Sequence, residues 1–189
     1  MAILKVARMG HPVLRARAQA LDPAQIASAP VQQLIDDMIA TMREYSGIGL
    51  AAPQIHQSVR IFVAGFKNEP LGDDIPADKD MPLIALINPE VAAASNARAE
   101  DWEGCLSIPD IRGRVVRARD VRVKAYDREG KRVEFRASGL PARVIQHETD
   151  HLDGVLFFDR MKSFETRSFL DEYSRFWAKD DEDDEKKTS

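Results

Sequence analysis

Gln146-His147-Glu148-Thr149-Asp150-His151-Leu152-Asp153-Gly154 places two histidines four positions apart with a glutamate beside the first. On a helix, side chains four apart lie one turn above each other on the same face, so both imidazoles can reach one ion at about 2.0–2.1 Å. Glu148 then stands one step round, where a base for an attacking water belongs. His-Glu-x-x-His on a helix is a signature of metal-assisted hydrolysis. The plain alternative is a charged helix face with two solvated histidines. The flanks predict the helix: Ser138 is a natural N-cap, Pro141 is tolerated in the first turn and Gly154 stands just past the end.

Working outward, Val31, Leu34, Ile35, Met38, Met42 and Tyr45 recur at helical spacing after Ser28 or Pro30, with Gly47 as the closing cap. Four β-type runs follow: "RIFVAGF" from Arg60, "PLIALINP" from Pro82, "DVRVKAY" from Asp120 and "KRVEFRA" from Lys131. Asp127-Arg128-Glu129-Gly130 reads as the hairpin turn between the last two. Residues 67–82 form a polar loop rich in Pro and Asp, and Phe169, Tyr173 and Phe176 place one face on a C-terminal helix. Few helices around several short strands predict an α+β domain: antiparallel strands packed around the central His-Glu-x-x-His helix, with an N-terminal helix and a C-terminal helical extension.

The chain of 189 residues is 44% hydrophobic, enough for one core, and nothing divides it. We read one domain over 1–178 and an acidic disordered tail over 179–189, where Asp180 to Glu185 is an unbroken run of six acids. Setting aside the last ten residues removes Lys186, Lys187 and those six acids from totals of 27 basic and 31 acidic, leaving 25 of each. A neutral body has no bulk footprint for nucleic acid. The apolar runs are too short to span a bilayer and the N-terminus lacks a secretory apolar core. Lys5, Arg8, Arg15 and Arg17 read as an exposed arm rather than a transit peptide. A lone cysteine, Cys105, excludes an internal disulfide and fits a reducing compartment, the cytoplasm.

A hydrolytic metal site needs a third protein ligand and an open position. The histidine that metzincins place six residues after the second is Phe157 here. A gluzincin-like zinc endopeptidase would use a later glutamate, Glu165 or Glu172, although Glu172 falls on an amphipathic helix where a solvated acid is the simpler account. Cys105 as thiolate is the remaining candidate, against its commonest fate as a small buried hydrophobe.

The setting of Cys105 is informative. Gly47-Ile48-Gly49-Leu50-Ala51-Ala52-Pro53-Gln54, Glu103-Gly104-Cys105-Leu106-Ser107 and Gln146 to Gly154 follow one another in an order that resembles the peptide deformylases, and together they are highly specific. The resemblance runs from about Gly10 to Met161, which leaves no room for a removable transit peptide. It implies that Cys105, His147 and His151 hold a divalent metal, natively ferrous iron with Zn2+, Ni2+ or Co2+ able to substitute. It also implies removal of the formyl group from N-terminal formylmethionine of nascent chains, with Glu148 as proton carrier and the Gln54 amide and Leu106 N–H meeting the oxyanion. Gly47 and Gly49 would let an extended substrate come close, adding as a strand, with Ile48 and Leu140 at the methionine pocket and core packing as their alternative. Arg143 stands where many bacterial members carry an apolar residue; facing the pocket it alters what the first side chain meets, facing solvent it alters nothing. Some members dock on the ribosome through a basic C-terminal extension. The tail here is acidic, so a transient ribosome contact is an expectation of the resemblance alone. Buried beside the cysteine, Glu103 needs a cation, and Arg117 is the expected partner.

Overall fold

The computed structural model describes residues 1–65, 67, 74–75 and 81–178. In chain order these form α1 (Ala29–Glu44), β1 (Gly49–Ala51), β2 (Ile61–Ala64), β3 (Asp74–Ile75), β4 (Ile84–Ala93), β5 (Arg98–Cys105), β6 (Ile108–Ala118), β7 (Asp120–Tyr126), β8 (Arg132–Ser138), α2 (Gly139–Leu152), α3 (Phe157–Arg160), β9 (Ser168–Phe169) and α4 (Leu170–Phe176). β2 is apolar at every position because both faces of its sheet are covered. That sheet runs β1-β2-β4-β7-β8-β3, antiparallel except where β3 joins β8.

On one face Ile35, Met38 and Met42 of α1 pack against Leu50, Ile61 and Val63. On the other, Ile145 and Leu152 of α2 pack against Phe62, Leu86, Val123 and Phe135. The strand period of two therefore divides one run, Ile61 and Val63 to α1, Phe62 to α2. The remaining face of α2 meets a second sheet, β5-β6-β9, over a core of Leu14, Ile108, Val115, Leu156 and Phe157. α2 is thus sandwiched, and this is an α+β fold built on the helix that carries His147 and His151. Among the described residues no helix is long and apolar enough to cross a membrane.

Several elements differ from the sequence reading. α1 stops at Glu44, and Ser46 at φ 53° turns the chain before Gly47 is reached. β4 continues past Pro89 through a register shift between Ile87 and Glu90, with Asn88 at φ 51°. The β5–β6 hairpin was not anticipated, because charged residues on its open face and Pro109 and Gly113 within it break the apolar alternation. At the C-terminus Phe169 and Phe176 are exposed rather than packed; Tyr173 and Trp177 make the contacts instead. Ser138 holds the N-cap position of α2 without a side-chain capping bond. Apart from isolated positions 67, 74–75 and 81–82, the Asp-rich 67–82 loop lies outside the described residues, as does the 179–189 tail.

Gly154 ends α2 at φ 74°, and a Cβ there would lie 2.6 Å from the Arg15 carbonyl oxygen. We expect Gly154→Ala to destabilise the protein by at least about 1–2 kcal/mol, read as a thermal midpoint lowered by several degrees in calorimetry. An unchanged midpoint would show that the Arg15 segment yields freely.

Candidate metal centre

Cys105 ends β5, and Leu106 and Ser107 form the two-residue loop that leads to Ile108 on β6. The hairpin drives the sulfur toward α2, where His147 and His151 stand one turn apart. Ligand atoms of these three buried residues all lie within 4.8 Å of one another, with Cys105 Sγ 3.2 Å from His151 Nε2. Four-coordinate ions with bonds of about 2.0–2.3 Å need donors roughly 3–4 Å apart, so the set fits a divalent ion. Among the described residues it is the one grouping of three such side chains. Glu165 and Glu172 are both exposed and outside it, which removes the ligand a gluzincin-like site requires.

The electrostatics agree. Burial pushes the Cys105 thiol up, but the charge of His151 and hydrogen bonding from His147 override it and hold the group well below the usual thiol range. Burial works against a charged His147 too, and is outweighed by hydrogen bonds to Cys105 and Glu103 that hold the imidazole well above its usual range. A thiolate beside a retained proton is the charge pattern that a bound cation would satisfy in the proton's place.

Glu103 supplies the outer support. Its carboxylate accepts from Arg117 Nε and Nη2, both at 2.9 Å, from Arg143 Nη1 at 2.8 Å, and pairs with His147 Nδ1 at 2.9 Å. Burial pushes this carboxyl up, yet the Arg117 and His147 bonds hold it well below the usual range. The Arg117 partnership expected from sequence is present. Arg117 also bonds Asp150 on α2 at 2.5 Å, and Asp150 is held in turn by Arg160 at 2.7 Å. With Nδ1 engaged by Glu103, the Nε2 of His147 is left for a metal.

Glu148 is buried against β1, and burial pushes its carboxyl up to about 7. Its Oε2 has no hydrogen-bond partner, and neither has His151 Nδ1. A Cβ on Gly49 would come within 2.3 Å of Glu148 Oε1, so this glycine is required by the carboxylate. Gln54 is buried; its Oε1 accepts from the Ala51 N–H at 2.8 Å while Nε2 reaches Ser107 Oγ at 3.2 Å and Cys105 Sγ at 3.6 Å. The N-terminal arm brackets both loops, Ala7 N–H donating to Gln54 O and Met9 N–H to Ser107 O.

Cys105, His147, Glu148, Glu103, Gln54 and Gly49 line a cleft of about 990 Å³ that also includes Gly47, Ile48, Leu106, Leu140 and Arg143. Ile48 and Leu140 are 44% and 53% exposed, so core packing does not explain them. Arg143 is buried, and its guanidinium is committed to Glu103 and to the carbonyls of Val115 and Ala99. Of facing the pocket or facing solvent, the first describes it better: Arg143 lines the cleft and is buried, with its charge engaged by Glu103. Asp150, Arg160, Trp102 and Leu170 escaped the sequence reading. Asp150, one turn from His147 and inside the matched block, was the one that could have been found.

The polypeptide deformylase family description matches residues 3–167. The peptide deformylase of Salinibacter ruber is 44% identical over 87% of this chain and 84% of its own length. Peptide deformylase 1A, chloroplastic/mitochondrial, of Arabidopsis thaliana is 42% identical over 88% of this chain, which spans 65% of that relative's length. A Met-Ala-Ser-bound class I type b peptide deformylase from Acinetobacter baumannii superposes with a TM-score of 0.76 at 38% identity, covering 85% of this chain and 99% of that one. The chain belongs to the polypeptide deformylase family.

Proposed function

We propose that the protein hydrolyses the formyl amide at the N-terminal formylmethionine of newly made chains, releasing formate. The observation that carries this is the convergence of Cys105, His147 and His151 beside the partnerless Glu148 carboxylate. A divalent ion held by those three residues, ferrous iron by family resemblance, supplies activation of water and polarisation of the formyl carbonyl. Glu148, aimed into the cleft from α2 and lacking a partner, takes the proton of the attacking water and passes it to the leaving amine. Gln54 Nε2, fixed by the Ala51 bond to its carbonyl, and the Leu106 N–H meet the oxygen on which charge builds.

Ile48 and Leu140 offer exposed apolar surface that a methionine side chain would bury, while Gly47, just before β1, and Gly49, its first residue, add no side chain to that wall of the cleft. β1 and β5 are edge strands of their two sheets, so a peptide entering between them can add as a strand. Arg143 is part of the wall, with its guanidinium bonded to Glu103. We place the activity in the cytoplasm, on nascent chains, with any ribosome contact transient. The Met-Ala-Ser complex of the Acinetobacter relative supports a short N-terminal peptide as ligand.

The direct test compares formyl-Met-Ala-Ser, Met-Ala-Ser and casein. Formate release from the first alone is expected, and internal cleavage of casein would overturn the assignment. Glu148→Gln should lower kcat by about 10²–10⁴-fold while elemental analysis finds the metal retained. Cys105→Ser should lose most of the metal, and a variant that kept both metal and turnover would show the cage to be wrong. Arg117→Ala leaves Glu103 and Asp150 partly unpaired in a buried site, so a loss of about 3 kcal/mol in denaturant unfolding and a roughly 10–100-fold weaker metal affinity are expected. Normal values of both would mean that Arg143 and Arg160 suffice.

A further inference from the structure

The C-terminal segment returns to the cleft. β9 pairs with Ile111 and Arg112 on the edge of β6 that faces away from β5, and α4 starts at the next residue. A helix of seven residues does not hold itself. Contacts with the β5–β6 hairpin fix it: the Trp102 ring lies 5.0 Å from Tyr173 and 5.8 Å from Trp177, and the Arg114 guanidinium sits over both tryptophans, at 5.2 and 5.8 Å. Leu170, the first residue of α4, is thereby set into the wall of the same cleft that Cys105, His147 and Glu148 line, and Trp102 lines it too. Leu170 remains 36% exposed among the described residues, an apolar surface on a helix fastened in place by four aromatic and cationic side chains.

Its distance from the chemistry follows from strand geometry. Trp102 precedes Cys105 by three residues on β5, roughly 10 Å at about 3.3 Å per residue. An extended peptide entering along that edge advances at the same rate. Counted from the formyl carbonyl, it brings its third residue level with Trp102.

We propose that Leu170 and Trp102 form a specificity wall for the third residue of the formylated chain, favouring a large apolar side chain there, with Tyr173, Trp177 and Arg114 as positioning residues. This rests on the deformylase reading and adds the part played by the C-terminal segment.

The test uses C-terminally amidated formyl-Met-Ala-Leu, formyl-Met-Ala-Ser and formyl-Met-Leu-Ser, with formate release as readout. For the wild type, kcat/KM for leucine at the third position should exceed that for serine by roughly fivefold or more, the lower range for a partly open apolar contact, with the difference in KM. Leu170→Ala should bring that ratio toward one, and Leu170→Met should restore it. Trp177→Ala removes the stack without touching the cleft lining and should lower the ratio likewise, which keeps the test intact should Leu170→Ala fold poorly by circular dichroism. A ratio unchanged in Leu170→Ala and Trp177→Ala overturns the wall. So does a preference carried by the second residue instead of the third, or a change confined to kcat. Formate from none of the three peptides would instead remove the deformylase reading, and the wall with it.

Discussion

The Glu103 carboxylate is the constraint around which the centre is arranged. A buried, isolated carboxylate is too costly to keep ionised, and this one is kept so by two arginines and His147. Those partners come from β6 and α2, so satisfying one charge fixes the end of β5 against the helix. Cys105 is two residues along from Glu103, and its sulfur meets the imidazoles because that strand end cannot drift. Such a cluster adds little net stability compared with an apolar core of equal volume. Its worth is positional: one carboxylate orients His147 through Nδ1 and anchors the strand bearing the thiolate.

Electrostatic order inside the cage follows from that anchoring. Cys105 and His147 are buried, so desolvation opposes the charge of each, and both charges are kept by groups that face them. Glu148 is the exception. It sits on the other flank of α2, against the Cα of Gly49, with no donor of its own, and burial leaves it more basic than an ordinary glutamate. A carboxylate in that condition is poor structural material and well suited to carrying a proton. Glu103 and Glu148 thus lie on neighbouring elements and both are buried, but partners hold Glu103 down while burial, with no partner to offset it, pushes Glu148 up.

Much of this could be read from residue order. The His147–His151 spacing, the apolar run of β2 and the Asp127–Gly130 turn are local signals, and each stands where the pattern placed it. The β5–β6 hairpin was not legible because its open face carries Trp102, Arg112 and Arg114, so charge interrupts the alternation that marks a strand. Arg143 is legible only in part. Sequence spacing gives the helix face of a side chain, and Arg143 does line the cleft, but not the acid 40 residues away in the chain that its guanidinium bonds, Glu103. The packing of α4 was equally hidden, since Trp102 and Trp177 are 75 residues apart.

The cleft itself exploits a feature that folds usually suppress. An edge strand offers unpaired backbone groups and invites unwanted pairing; here two edges, β1 and β5, belong to different sheets and flank one opening. Both are short or interrupted, β1 at three residues and β5 by the shift between Glu103 and Cys105, which limits what can pair to a brief extended segment. Backbone pairing recognises any sequence, so it suits a substrate as varied as the first residues of all new chains. Selection must then come from side-chain surfaces at fixed steps along that segment. Ile48 and Leu140 line the cleft at one step, and the proposed wall of Trp102 and Leu170, three strand residues from Cys105, would let one groove be strict at its first position and graded beyond it.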